Sequence, residues 1–209
     1  MEVYVIGSCR VYKPSHNLKV SRWGGGMIHT PRQIVQAIDI SEKRIDIDKE
    51  LIDSVFYTDA EITMEAYQRT DLNLYDKFIV ELGSLTDFMT DNGIYCHSFQ
   101  EHLTIPHTVV KYDLKTVVDC LNKIYDGFKR KPIIFVQHTN FKKINNTDRY
   151  MLGLALSSFA GKRKNVYYLD ILNIIAEHGR EKTLKDDNHH TDFLIDAIRS
   201  ELRKFIEGV

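Results

Sequence analysis

Short apolar runs alternate along this chain with segments whose apolar residues recur at helical spacing. Val3 to Ile6 is a continuous apolar run that stops at Gly7, the mark of a first strand buried on both faces. Lys77-Phe78-Ile79-Val80-Glu81-Leu82, Pro132 to Gln137 and Asn165 to Asp170 read as further strands of the same kind, and Val55 to Tyr57 as a weaker one. Between them, Thr30-Pro31-Arg32-Gln33 opens a helix, with Thr30 at the N-cap, Pro31 at the first helical position and Gln33 able to close a capping box. Ile34, Val35 and Ile38 supply its apolar stripe. A second helix starts near Asp113, where Leu114, Val117, Val118, Leu121, Ile124, Tyr125 and Phe128 share one face, and Lys129-Arg130-Lys131 suits its C-terminus. Arg149 to Phe159 reads as a helix, and the chain closes on another whose Leu194, Ile195, Ile198, Leu202, Phe205 and Ile206 lie on one side.

Alternation of this kind predicts right-handed crossovers and an α/β fold, a three-layer α/β/α sandwich around a mostly parallel sheet of about five strands. A chain of 209 residues, 43% of them hydrophobic, buries one good core, so residues 1–209 read as a single domain. The segment 88–112, rich in aromatics and histidines, reads as an irregular insertion, a lid or wall over the carboxyl edge of the sheet. In such sheets ligands bind outside the carboxyl ends of the strands. Ser8, Gly83 to Asp87, His138 to Asn140 and Asp170 all fall there.

Charge and cysteine content narrow the setting. Twenty-eight Lys and Arg against twenty-nine Asp and Glu give a formal net charge of -1, so no basic field advertises nucleic acid or an anionic membrane. Cys9, Cys96 and Cys120 are odd in number and contain no Cys-x-x-Cys pair, which argues against a disulfide framework and a structural zinc site. Glu2 stands where a signal peptide carries positive charge, and no apolar run is long enough to span a bilayer. The expectation is a cytoplasmic or otherwise intracellular protein without nucleic-acid or membrane partners.

The candidate chemistry lies at the two ends of the chain. Gly7-Ser8-Cys9-Arg10 places a small nucleophile directly after the first strand, and Asp186-Asp187-Asn188-His189-His190-Thr191 places an Asp-x-x-His element before the last helix. A serine hydroxyl needs a neighbouring base, histidine with its ordinary pKa of about 6.5 fits that task, and an acid fixes its tautomer. Asp186 with His189 and Asp187 with His190 both have the spacing. The first pair is preferred because it leaves Thr191 to start the helix. Cys9 reads as a packed small residue, whereas the guanidinium fork of Arg10 suits either a carboxylate or phosphate of a ligand or a surface salt bridge. His97, His102 and His107 show no ligand pattern with His189 and His190, and no metal is expected. Trp23-Gly24-Gly25-Gly26 reads as a glycine turn that lets a ligand approach the backbone, without the spacing of a dinucleotide or P-loop fingerprint.

With these residues the chain resembles a divergent member of the SGNH (GDSL-like) hydrolase superfamily. Gly7-Ser8-Cys9 is similar to the variant serine turn of its glycan-associated branches, and Asp186 and His189 match its Asp-x-x-His element. The resemblance implies an SGNH/flavodoxin-like sandwich and a carbohydrate-directed esterase or O-acyltransferase. In that scheme Ser8 forms the acyl-enzyme, His189 takes its proton and Asp186 orients the imidazole. Hydrolysis would need no cofactor, and transfer would need an acyl donor such as acetyl-coenzyme A. Members of the superfamily draw oxyanion donors from the serine amide, from a glycine after the second strand and from an asparagine after the third. This chain has Gly83-Ser84-Leu85-Thr86-Asp87 in the last position, so Gly25, Gly83, Ser84, Thr86 and Asn140, with Arg10 and His190, are the candidate substrate-binding residues. Two other readings stay open. One is an S-adenosylmethionine-dependent methyltransferase acting on a glycan hydroxyl, and the other is a non-catalytic ligand-binding protein on the same scaffold.

Overall fold

The structure, a computed structural model, describes every residue except 25–27, 57–66, 98–104, 138–146, 187–188 and 209. Five parallel strands, β1 (Val3–Ile6), β2 (Arg22–Gly24), β3 (Lys77–Leu82), β7 (Ile133–Gln137) and β8 (Val166–Leu169), form one sheet in the order β2-β1-β3-β7-β8. The chain steps outward from β1 to β2 and then returns across β1 to β3. This reversal opens a crevice at the carboxyl ends of β1 and β3, where parallel sheets place their ligands.

Alternation along each strand feeds two separate cores. Tyr4, Ile6, Phe78, Val80, Leu82 and Phe135 face one side, where they pack under helices α2 (Pro31–Ser41), α3 (Lys49–Phe56), α4 (Leu114–Gly127) and α5 (Thr147–Gly161). Val3, Val5, Ile79, Ile134 and Val136 face the other, against α1 (Cys9–Ser15), α6 (Ile171–His178) and α8 (Asp192–Glu207), with the short α7 (Arg180–Thr183) between the last two. These are the three layers expected from the sequence. Among the described residues no helix is long and apolar enough to cross a membrane.

Three predicted features need correction. Val55 and Phe56 are helical: with Leu51 and Ile52 they form the buried stripe of α3, a 3.6-residue period that a three-residue window conceals, and Tyr57 lies outside the described residues. Trp23 and Gly24, read as the start of a glycine turn, belong to an edge strand registered as Tyr4↔Arg22, Val5↔Trp23 and Ile6↔Gly24, and Gly25 and Gly26 lie outside the described residues. Gly24 is required for packing there, since a Cβ would lie 2.5 Å from the Tyr4 hydroxyl. The insertion read as irregular over 88–112 carries an antiparallel sheet of β4 (Thr86–Thr90), β5 (Tyr95–Cys96) and β6 (His107–Lys111), in the order β5-β4-β6.

The caps follow the sequence closely. Thr30 accepts from the Gln33 amide, Asp113 from the Thr116 amide and Thr191 from the Leu194 amide. The Gln33 side chain reaches one residue further back than a capping box requires, to the His29 amide at 3.3 Å. Thr30 also donates its hydroxyl to Asp87 Oδ2 at 2.8 Å, which ties the small sheet to the start of α2. Asp87 is fully buried, and Oδ1 has no hydrogen-bond partner among the described residues. Burial pushes its carboxyl up to about 8, against the opposing Thr30 hydrogen bond and the charge of Arg32. Because the folded-state value lies above that of an unfolded aspartate, about 3.9, the associated stability is complete below that value and is lost as pH rises toward 8. Asp87→Asn keeps an oxygen for Thr30 and removes the titration. In urea titrations its loss of stability between pH 4 and 8 is expected to be smaller than that of the native chain by ~1 kcal/mol or more.

Candidate active site

The turn after β1 is built around a buried carboxylate. Ser8 caps α1 in an extended conformation, its Oγ accepting from the Arg10 amide at 3.3 Å and its carbonyl accepting from the Val11 and Tyr12 amides. Glu81, next to last in β3, follows the alternation of Ile79 and points to the α1 side of the sheet. The Ser8 amide donates to Glu81 Oε2 at 2.6 Å and the Ser8 hydroxyl donates to Oε1 at 2.9 Å. Gly7 makes this approach possible: a Cβ there would lie 2.5 Å from Glu81 Cβ and 2.9 Å from Oε2. Both Glu81 and Ser8 are buried.

The charge of Glu81 is felt by a guanidinium on a neighbouring helix. Arg149, near the start of α5, is half-buried, and its pKa is lowered to about 10 first by desolvation and then by the charge of Arg10, with Glu81 opposing. Arg149 therefore feels both the positive charge of Arg10 and the negative charge of Glu81. The Gln137 side chain at the end of β7 donates to the Arg149 carbonyl at 2.7 Å and accepts from the Tyr168 hydroxyl, which fixes the first turn of α5 against the sheet.

At the other end of the chain, Asp186 and His189 form a closed local unit. Asp186 Oδ1 accepts from the His189 amide at 2.9 Å, and Oδ2 lies 2.7 Å from His189 Nδ1. The spacing of three residues gives the carboxylate both contacts, and the ring's Nε2 is left for chemistry. The imidazole is well exposed, whereas His190 is buried and bridges to Leu184. Asp187 lies outside the described residues, and the acid seen on a histidine here is Asp186. A small cavity lined by Cys9, Arg10, Lys13, Pro14, His189, His190 and Ile195 joins the two ends of the chain. Both residues after Ser8 thus share a cavity with the Asp186–His189 pair, while the Ser8 hydroxyl itself is held by Glu81.

The remaining candidates divide. The Gly83 amide donates to the His29 carbonyl at 2.8 Å, and the Ser84 amide to the same oxygen at 3.4 Å. The Ser84 hydroxyl both donates to the Thr86 carbonyl and accepts from the Thr86 amide, each at 3.1 Å. This turn spends those donors on launching β4, so Gly83 and Ser84 do not offer them to a ligand in this arrangement. Gly25 and Asn140 lie outside the described residues, as do His102 and His138. His97 is buried edge-on against His29, and His107 is exposed on β6 with Nδ1 on the Ile105 carbonyl. Among the described residues no three His, Cys, Asp or Glu side chains converge as metal ligands. Cys96 and Cys120 are buried free thiols raised above their ordinary pKa by desolvation, and Cys9 is a free, partly buried thiol.

Sequence reasoning missed Glu81 and Arg149. Glu81 had a signal: it is the one charge inside the apolar run Phe78 to Leu82, and a carboxylate in a strand buried on both faces needs a dedicated partner. Arg149 had none, because nothing in Asp148-Arg149-Tyr150 separates a guanidinium facing the site from one in water.

Residues 1–104 match a family model described as the TviD N-terminal domain. No curated protein matches the chain. Among solved structures, the chain is similar to an acetyl xylan esterase (Est2A) from the rumen bacterium Butyrivibrio proteoclasticus, with 11% identity and a TM-score of 0.46. That alignment covers 99% of this chain and 63% of the esterase, so the chain spans less than two thirds of that protein's length.

The network around Glu81 predicts a graded loss of stability. Glu81→Leu removes the acceptor of two buried donors and a negative charge that favours the charged form of Arg149, an expected loss of ~3 kcal/mol or more. Glu81→Gln keeps one acceptor oxygen and is expected to lose ~1–3 kcal/mol. Denaturant midpoints of the two variants check the order.

Proposed function

We propose that this protein is a carbohydrate-directed esterase or O-acyltransferase that works through a Ser8 acyl-enzyme, with His189 as base and Asp186 as its orienting acid. The observation that carries the reading is the Asp186–His189 pair at 2.7 Å, opening on the cavity that Cys9 and Arg10 line beside Ser8. With Nδ1–H held by Asp186, Nε2 is the basic nitrogen, and the carboxylate stabilises the imidazolium formed when the Ser8 proton arrives. Rotation of the Ser8 hydroxyl from Glu81 toward the cavity begins the reaction. Ser8 Oγ then adds to the acyl carbonyl, the leaving alcohol or thiol takes the proton from His189, and water or a sugar hydroxyl reverses the sequence. Arg10 on the cavity wall is suited to an anionic group of donor or acceptor. The sugar class rests on the resemblance of the Gly7-Ser8-Cys9 turn to glycan-associated SGNH proteins.

One observation favours a second reading, a ligand-binding protein without catalysis: both donors of Ser8 are already held by Glu81. Fluorophosphonate labelling followed by intact mass separates the two. The acyl-transfer reading expects a single adduct on the native chain, its absence in Ser8→Ala, and labelling slower by ~1,000-fold or more in His189→Ala. A native chain that takes no adduct supports the binding reading, and acyl transfer that survives Ser8→Ala overturns the main one.

A further inference from the structure

Beside the cavity at His189, and sharing Lys13 and Ile195 with it, lies a wider open groove of about 570 Å³ between the β2 edge, α1 and the start of α8. Its lining includes Tyr12, Lys13, His16, Trp23, Asp192 and Ile195. Trp23 is an exposed aromatic on the main sheet, 41% accessible, and its register with Val5 sets it on the same side as α1 and α8. An indole left in water on an edge strand, in a concave site of the size that ordinary ligands fill, asks for a partner with a flat apolar face.

We propose that this groove is a saccharide-binding subsite in which a pyranose ring stacks on Trp23 and the neighbouring unit extends toward His189. The proposal rests on the reading that the adjoining cavity modifies a glycan, and it adds where that glycan lies. A pyranose presents axial C–H groups on one face and hydroxyls around its rim. Trp23 and Ile195 match the first, while Lys13 from α1, His16 just after it and Asp192 from α8 supply polar groups for the second. The walls are also held in place. The Tyr12 hydroxyl donates to the Gly24 carbonyl, which ties α1 to β2. Arg199 donates through Nε to the Pro14 carbonyl at 3.2 Å and through Nη2 to the Lys13 carbonyl at 3.5 Å, which ties α1 to α8, and its Nη1 pairs with Asp196. A groove cross-linked on both sides loses little freedom when a ligand enters.

Trp23 is the sole tryptophan of the chain, so its fluorescence reports this groove alone. The titration uses Ser8→Ala, which reads binding without turnover, with xylotetraose, chitotetraose and tetragalacturonate as probes. At least one probe is expected to change the emission saturably with a dissociation constant of about 1 mM or tighter. By calorimetry, Trp23→Ala weakens that probe about tenfold or more, while Trp23→Phe, which keeps a ring, holds it within about threefold. Thermal melting of both variants close to that of the parent keeps the comparison free of unfolding. No response to any of the three probes at about 10 mM, or calorimetric binding unchanged in Trp23→Ala, overturns the subsite. A saturable response in Ser8→Ala together with a native chain that takes no fluorophosphonate adduct leaves the subsite standing and sinks the acyl-transfer reading, whereas an adduct on the native chain with no saccharide response does the reverse.

Discussion

The carboxylate of Glu81 sits where the end of β3, the turn after β1 and the first residues of α1 converge, and it holds the Ser8 amide at 2.6 Å and the Ser8 hydroxyl at 2.9 Å. A fully buried carboxylate is expensive unless it is hydrogen-bonded and charge-compensated. Its demands therefore organise its surroundings. Glu81 occupies the space a side chain at Gly7 would need, Ser8 turns both donors toward it, and Arg149 brings positive charge from α5. The crevice formed where the strand order reverses thus has a charged floor that couples three elements distant in sequence.

The second constraint is the meeting of the chain's ends. α1 and α8 pack on the same face of the sheet, and Arg199 reaches from α8 to the last carbonyls of α1. His189 precedes α8 by only a few residues, and its Asp186 partner is local. Placement of the imidazole beside Cys9 and Arg10 consequently depends on how α8 docks: Leu194, Ile198, Leu202 and Phe205, all buried, set the site's geometry as well as the stability of the layer.

Much of this was legible in the sequence, and the exceptions have physical causes. Strands buried on both faces announce themselves as apolar runs, and helix caps announce themselves through Thr30, Asp113 and Thr191, because both signals are local. β2 was not legible: an edge strand of three residues, one exposed, one glycine and one partly buried arginine, carries no periodicity, and only pairing with β1 makes it a strand. β4 to β6 were hidden for a related reason, since β6 is largely exposed and its pattern lacks an apolar face. In the site, Asp186 with His189 is a spacing within one turn and can be read from sequence. The Ser8–Glu81 contact spans seventy-three residues, and only the oddity of a charge in a core strand pointed to it.

Glu81 also constrains any chemistry at Ser8. An acyl transfer that draws on the serine amide for oxyanion stabilisation needs that N–H aimed at the developing charge, yet here it points at a carboxylate. The Gly83 amide and the Ser84 hydroxyl, among the donors near Ser8 that such a reaction would draw on, are spent on the turn into β4. Under the proposed acyl transfer, the cationic side chains on the cavity wall, Arg10 and Lys13, are the groups left to meet an oxyanion. A cation in that role stabilises the developing charge without the serine amide, so the proposed reaction does not require the Ser8 N–H to leave Glu81.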